Sequence, residues 1–153
     1  MKIGIVIPYY NACVHIESVI QKALQYSDHI VLVNDKSPDV LPESLLNLAQ
    51  KVTIIELSEN LGVGGATKKG FSYLETIASV EVVVKLDADD QMDTDYIPQL
   101  VDPILNGTHD FVKGNRFRDF KALKAMPWPR RFGNLFLSFL SKVATGFCVY
   151  LFV

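Results

Sequence analysis

Short apolar runs recur along the chain: KIGIVIPYY at residues 2–10, HIVLVND at 29–35, VTIIEL at 52–57 and VEVVVKLD at 80–87. Each is brief, bounded by polar residues and rich in Val and Ile, which predicts buried strands. Between them the apolar positions move to helical spacing. Ile16, Val19, Ile20, Ala23 and Leu24 mark one helix, and Leu45, Leu46 and Leu48 mark a short one behind Pro42. GGATKKGFSYLETIA, at 64–78, predicts another, with Ala66, Phe71, Leu74 and Ile77 as its apolar positions. Asp93 or Thr94 can cap a helix over Tyr96–Leu105, with Pro98 early in it and Pro103 kinking or shortening it. DFVKGNRF, at 110–117, predicts a fifth short strand, and RRFGNLFLSFLSKV, at 130–143, a last helix.

Strands alternating with helices predict an α/β fold, a mostly parallel sheet with helices on both faces. Ligands of such sheets bind beyond the carboxyl ends of the strands. The polar clusters all fall there: PYYN, NDKSPD, SENLGVGG and DADDQ follow the first to fourth strands. One composite site is the expectation.

Composition narrows the picture. The 153 residues are 49% hydrophobic, enough for one domain with a real core, expected over residues 1–153. The net charge of −2 conceals two opposite regions. Residues 1–110 carry sixteen acidic and seven basic side chains, whereas 111–131 carry seven basic ones against Asp119 alone. A basic loop of that density is either a solvated surface or a seat for an anionic partner. Cys13 and Cys148, distant and alone, suit a reducing compartment. The N-terminus has no signal-peptide pattern, since Pro8 interrupts a short apolar run. LFLSFLSKVATGFCVYLFV, at 135–153, is long enough to span a bilayer, but Lys142 lies near its middle. A central Lys costs about 2.5–3.5 kcal/mol on insertion, which favours an amphipathic interfacial helix, placed at 132–147, followed by a strand.

The ligand is narrowed by exclusion. A dinucleotide fold needs a Gly-rich turn after its first strand, and PYYNACVH has no glycine. GGATKKG lacks Walker spacing, and a calcium loop beginning at Asp87 fails at Met92 and Pro98. A phosphoacceptor receiver domain would carry acidic residues after its first strand, and this chain has none there. What remains is KLDADDQMD. In extended backbone Asp87 and Asp89 point to one side, with Gln91 continuing the row. Two carboxylates and an amide oxygen suit a hard cation, Mg2+ or Mn2+, that shares its open positions with phosphates. The same residues also read as an acidic loop and helix cap, a role that suits Asp90, Asp93 and Asp95.

PYYN, VNDKSPD, NLGVGGATKKG, KLDADDQ and FVKGNRF, in this order, resemble the family-two inverting glycosyltransferases of GT-A fold. Within that family the chain looks most like the dolichyl- and polyprenyl-phosphate sugar synthases, over nearly its whole length. The resemblance implies a Rossmann-like nucleotide-diphospho-sugar transferase fold, incomplete at the C-terminus. It implies a pocket for a UDP- or GDP-sugar made by Pro8, Tyr10 and Asn11, with Asp35 on the base and Asn60 and Gly62 near the ribose and diphosphate. Asp87, Asp89 and Gln91 would hold Mg2+ or Mn2+ and the donor diphosphate, Asp89 and Arg116 being the catalytic pair. Arg116, Arg130 and Arg131 would hold the acceptor phosphate. The implied partners are the nucleotide sugar, a polyprenyl phosphate or other glycan acceptor, and a membrane surface, with no nucleic acid. The implied location is the cytoplasmic face of the membrane.

Departures from the pattern are Ala12 in place of a common Glu, Asn34 in place of an acidic residue, and Lys36 in place of a common Gly. The pattern also continues past ATGF, so a truncated product is the expectation. A glycosyltransferase acting on a hydroxyl acceptor, or an inactive nucleotide-binding remnant, stands beside the main reading.

Overall fold

The computed structural model describes residues 3–27, 29–48 and 50–114. The chain divides at Val112 into two units, and the elements below belong to the first. Four parallel strands, β1 (Ile3–Tyr9), β2 (His29–Asn34), β3 (Val52–Glu56) and β4 (Val82–Lys85), form one sheet in the order β3-β2-β1-β4. Two helices connect strands, α1 (Cys13–Ala23) between β1 and β2 and α2 (Gly62–Leu74) between β3 and β4, and α3 (Ile97–Leu105) follows β4. Two 3-10 helices, Glu43–Leu48 and Thr94–Tyr96, complete the described elements.

Alternation along the strands builds two cores. Ile5, Ile7 and Tyr9 of β1 join Ile30 and Leu32 of β2 on one face, where Ile16, Val19, Ile20 and Ala23 of α1 cover them with Ile97 and Val101 of α3. On the other face Val6, Val31 and Val33 meet Ala66 and Leu74 of α2. Both faces are covered by helices, which is why the strands read as continuous apolar runs rather than alternating ones.

Three expectations need correction. The inward row of α2 is Ala66, Gly70 and Leu74, at i+4 spacing, so Phe71 sits one position round the helix and is 42% exposed. That helix also ends at Leu74, not Ala78. Residues 110–114 form no strand; Phe111 is exposed and buries nothing there against the sheet. Pro103 lies inside α3, which ends two residues later at Leu105, and its carbonyl takes hydrogen bonds from the Thr108 and His109 amides. The basic loop of 111–131, beyond its first four residues, and the helix placed at 132–147 lie outside the described residues.

One proline shapes the site end of the sheet. The Val6 carbonyl accepts the Leu86 amide at 2.9 Å, so Val6 is a residue whose hydrogen bonds run to β4. In a parallel ladder the next such residue is two further on, which is Pro8. Pro8 has no N–H to continue the ladder, and β1–β4 pairing ends at Val6 opposite Lys85. Pairing of β1 with β2 continues to Tyr9 opposite Asn34. The sheet therefore parts between β1 and β4 at its carboxyl edge. That is also where the strand order reverses, the point at which open α/β sheets bind ligands.

Candidate functional site

The loops after β1, β2 and β3 are laced together by their own polar groups. The Asn11 amide donates to Ser37 Oγ at 2.6 Å, and the Cys13 amide donates to Asp39 Oδ2 at 2.9 Å. Ser37 Oγ donates in turn to Asp39 Oδ1, and the Ser37 amide to Asn34 Oδ1 at 2.9 Å. The third loop joins through Asp35, whose Oδ1 accepts the Leu61 amide at 2.7 Å. Asn60 Oδ1 accepts the Gly62 amide at 3.0 Å, satisfying a donor at the start of α2. Two tight turns carry these residues in left-handed backbone, Asn11 at φ 52° and Lys36 at φ 54°.

Electrostatics follow from this lacing. Partial burial alone would raise the Asp39 carboxyl. Hydrogen bonds from Ser37 and from Cys13, with the neighbouring Tyr9 hydroxyl, outweigh burial and hold it at about 2. Burial and the same carboxylate push Tyr9 well above the usual phenol range. The Tyr9 ring is fully buried, and its hydroxyl is buried without a hydrogen-bond partner at ordinary geometry. The adjacent Tyr10 instead stands 53% exposed at the strand end. Alternation separates them: Tyr9 shares the inward face of Ile5 and Ile7, and Tyr10 falls on the other side.

The acidic run lies beyond β4, level with the parted end of β1. Alternation persists past the ladder, for Leu86 and Ala88 are buried while Asp87 and Asp89 are not. The extended backbone assumed for Asp87–Asp89 does not hold, because a turn begins at Ala88, and Asp90 takes a left-handed conformation at φ 58°. Loss of the Pro8 donor frees the chain to turn there. Asp87 pairs with the Lys85 ammonium, and Asp89 Oδ1 accepts the Gln91 amide at 3.1 Å. Asp90 reaches across to α1: Lys22 Nζ donates to both its oxygens at 2.8 and 2.9 Å, and Ser18 Oγ donates at 3.0 Å. The Lys22 hydrogen bond, with help from Ser18 and against desolvation by burial, holds the Asp90 carboxyl below its usual range. Asp93 caps the next helical turn by accepting the Asp95 amide at 3.0 Å, and Asp95 accepts Tyr26 Oη at 2.8 Å.

A profile of glycosyl transferase family 2 matches residues 4–150. The chain belongs to glycosyl transferase family 2. It is 31% identical to a UDP-N-acetylglucosamine–dolichyl-phosphate N-acetylglucosaminyltransferase of Methanococcus voltae, over 96% of this chain and 64% of that protein. It is 36% identical to a dolichol-phosphate mannosyltransferase of Pyrococcus furiosus, over 84% of this chain and 36% of that protein. It is 31% identical to an undecaprenyl-phosphate 4-deoxy-4-formamido-L-arabinose transferase of Edwardsiella ictaluri, over 94% of this chain and 44% of that protein. The chain thus spans between roughly a third and two thirds of these relatives' length.

In this family-2 domain the expected site residues divide as follows. Tyr10, Asn11, Asp35, Asn60 and Gly62 stand on the three laced loops at the carboxyl edge, with Pro8 buried beneath at the end of β1. Asp87, Asp89 and Gln91 stand on the fourth loop, after the strand adjacent to β1. Arg116, Arg130 and Arg131 lie outside the described residues. Among the described residues no three His, Cys, Asp or Glu side chains sit together as a metal cage. Asp87, Asp89 and Gln91 carry two carboxylates and an amide, hard oxygens of the kind Mg2+ or Mn2+ takes, but the turn at Ala88 breaks the extended row that would line them up. Sequence reasoning set Ser37 and Asp39 at the site edge, within NDKSPD, without giving either a role, and missed Ser18 and Lys22 altogether. A Ser-Pro-Asp after a strand signals a turn, but bonds to partners 26 or 68 residues away leave no local mark.

Proposed function

We propose that this domain moves a sugar from a nucleoside diphosphate donor to a polyprenyl phosphate. One observation carries the reading: relatives with polyprenyl-phosphate glycosyl transfer in their names match over 84–96% of this chain. Tyr10, exposed just past the carboxyl end of β1 where its ladder with β4 has already ended, presents an aromatic face for a base. Asp35, fixed by the Leu61 amide, holds the base edge, and Asn60 and Gly62 shape the ribose and diphosphate side.

The reaction is a displacement at the anomeric carbon with inversion. An oxygen of the acceptor phosphate forms the new bond, and the bond to the donor diphosphate breaks, its electron pair leaving with the nucleoside diphosphate. A divalent cation on Asp87, Asp89 and Gln91 would stabilise the charge growing on that leaving group. A lipid phosphate is already ionised, so this chain needs no general base for it. It needs cations to hold the acceptor, and Arg116, Arg130 and Arg131 in the basic block supply forks suited to phosphate. Trp128 between Pro127 and Pro129, with Phe117, Phe120 and Phe132, suits a membrane–water boundary on the cytoplasmic side. No helix among the described residues is long and apolar enough to cross a membrane.

The test is transfer of radiolabel from UDP- and GDP-sugars, with Mn2+ or Mg2+, to dolichyl or undecaprenyl phosphate. Label in the lipid extract that depends on the lipid phosphate supports the reading. Turnover onto a hydroxyl glycan without any lipid phosphate contradicts it.

A further inference from the structure

We infer that Lys22 and Ser18 of α1 are positioning residues for the Asp87–Asp89 loop, acting through Asp90. The inference rests on the function proposed above. Asp90 adjoins Asp89, and its carboxylate is bound to α1. Both its oxygens are taken by the Lys22 ammonium, and Ser18 Oγ adds a third hydrogen bond. These two donors lie one helical turn apart on α1, at i and i+4, so they present a single cationic and hydroxylic seat.

The seat matters because the loop is anchored only on either side of Asp89–Gln91. Leu86 and Ala88 hold the strand end in the core and the chain returns to it at Met92 and Thr94, while Asp89 and Gln91 between them are exposed. Asp90 then adopts φ 58°, a conformation that L residues rarely adopt, though Asp enters it more readily than most. Two fixed points therefore bracket Asp89: the buried Ala88 before it and the α1-bound Asp90 after it. A left-handed residue clamped from outside sets the direction of the peptide preceding it. It thereby fixes how Asp89 is presented and where the Gln91 amide meets Asp89 Oδ1. α1 is itself packed on the sheet through Ile16, Val19, Ile20 and Ala23, so the clamp stands on the rigid core. Without it, like charges at Asp87, Asp89 and Asp90 would spread the loop, and gathering them round a cation would carry an ordering cost.

The test uses the full chain and four variants: Lys22→Met, Lys22→Arg, Asp90→Leu and the double variant Lys22→Met/Asp90→Leu. Affinity for UDP and GDP is measured by calorimetry with and without Mn2+, and hydrogen exchange of the amides at 88–91 is followed without ligand. Lys22→Met should weaken Mn2+-dependent nucleotide binding roughly three- to tenfold and leave Mn2+-free binding unchanged. It should also speed exchange at 88–91. Lys22→Arg should restore both. Asp90→Leu, which also loses the Ser18 hydrogen bond and takes φ 58° less readily than Asp, should weaken binding at least as much as Lys22→Met, and the double variant should be no worse than Asp90→Leu alone. Lys22→Met with wild-type Mn2+-dependent affinity, whatever its melting temperature, overturns the inference alone. A wild-type protein that binds nucleotide with no Mn2+ dependence overturns the metal reading beneath it, and the inference with it.

Discussion

Gly70 is the point at which α2 is pressed hardest into the sheet. A Cβ placed there would lie 2.4 Å from Val6 Cγ1, 2.9 Å from Val6 Cγ2 and 3.2 Å from Val33 Cγ2. Carbon atoms settle at about 3.5–4.0 Å, so relief needs a shift of roughly 1 Å. Both valines are buried, stiff at χ1 and backed by paired strands, so neither can give way cheaply. Overpacking of this kind costs about 1–3 kcal/mol, and Ala in a helix interior returns about 1 kcal/mol over Gly. With no escape route the cost falls in the upper part of that range. Gly70→Ala should therefore destabilise the protein by about 1–2 kcal/mol, read as a lower urea midpoint at unchanged slope. Gly64, on the same helix, has nothing within 4 Å of where a methyl would stand, and Gly64→Ala should stabilise by up to about 1 kcal/mol. Placed on a Val6→Ala background, Gly70→Ala should lose most of its cost, because the clashing methyls are gone. Equal stabilisation by Gly64→Ala and Gly70→Ala would refute the close approach of α2 to β1.

Two further outcomes are expected. Lys36 is exposed and held at φ 54°, which costs a non-glycine residue about 1–2 kcal/mol; Lys36→Gly should gain stability by up to about 1 kcal/mol after the added unfolded-state entropy, measured by urea unfolding. Asp39 has its carboxyl lowered from 3.8 to about 2, so the stability it contributes is present above about pH 4 and is lost as the pH falls toward 2. Asp39→Asn should lower the neutral-pH melting temperature and flatten the acid limb between those values; an acid limb identical to wild type would refute the Ser37–Asp39–Cys13 lacing.

Much of the scaffold was legible because parallel strands are buried on both faces and so stand out as runs of Val and Ile. The period of Ile16, Val19, Ile20 and Ala23 likewise placed α1 correctly on its buried face. Apolar character alone points Phe71 inward, whereas the inward position is Gly70, whose lack of a side chain lets α2 approach the sheet. The polar loops were placed at the right edge by position alone. Their internal geometry was not readable: the turn at Ala88 follows from a missing donor on a different strand, at Pro8. The seat for Asp90 lies on a helix 68 residues earlier, and only folding brings the two together.

Everything proposed for the carboxyl edge turns on a nucleoside diphosphate and a divalent cation meeting between the β1 and β4 loops. Crystals grown with Mn2+ and UDP or GDP would reveal the ion by its anomalous scattering. The expected result is a manganese peak bound by Asp87 and Asp89, with the diphosphate on it and the base at Tyr10 and Asp35. Manganese and nucleotide found away from that edge, or nucleotide there with no ion on either aspartate, would contradict it.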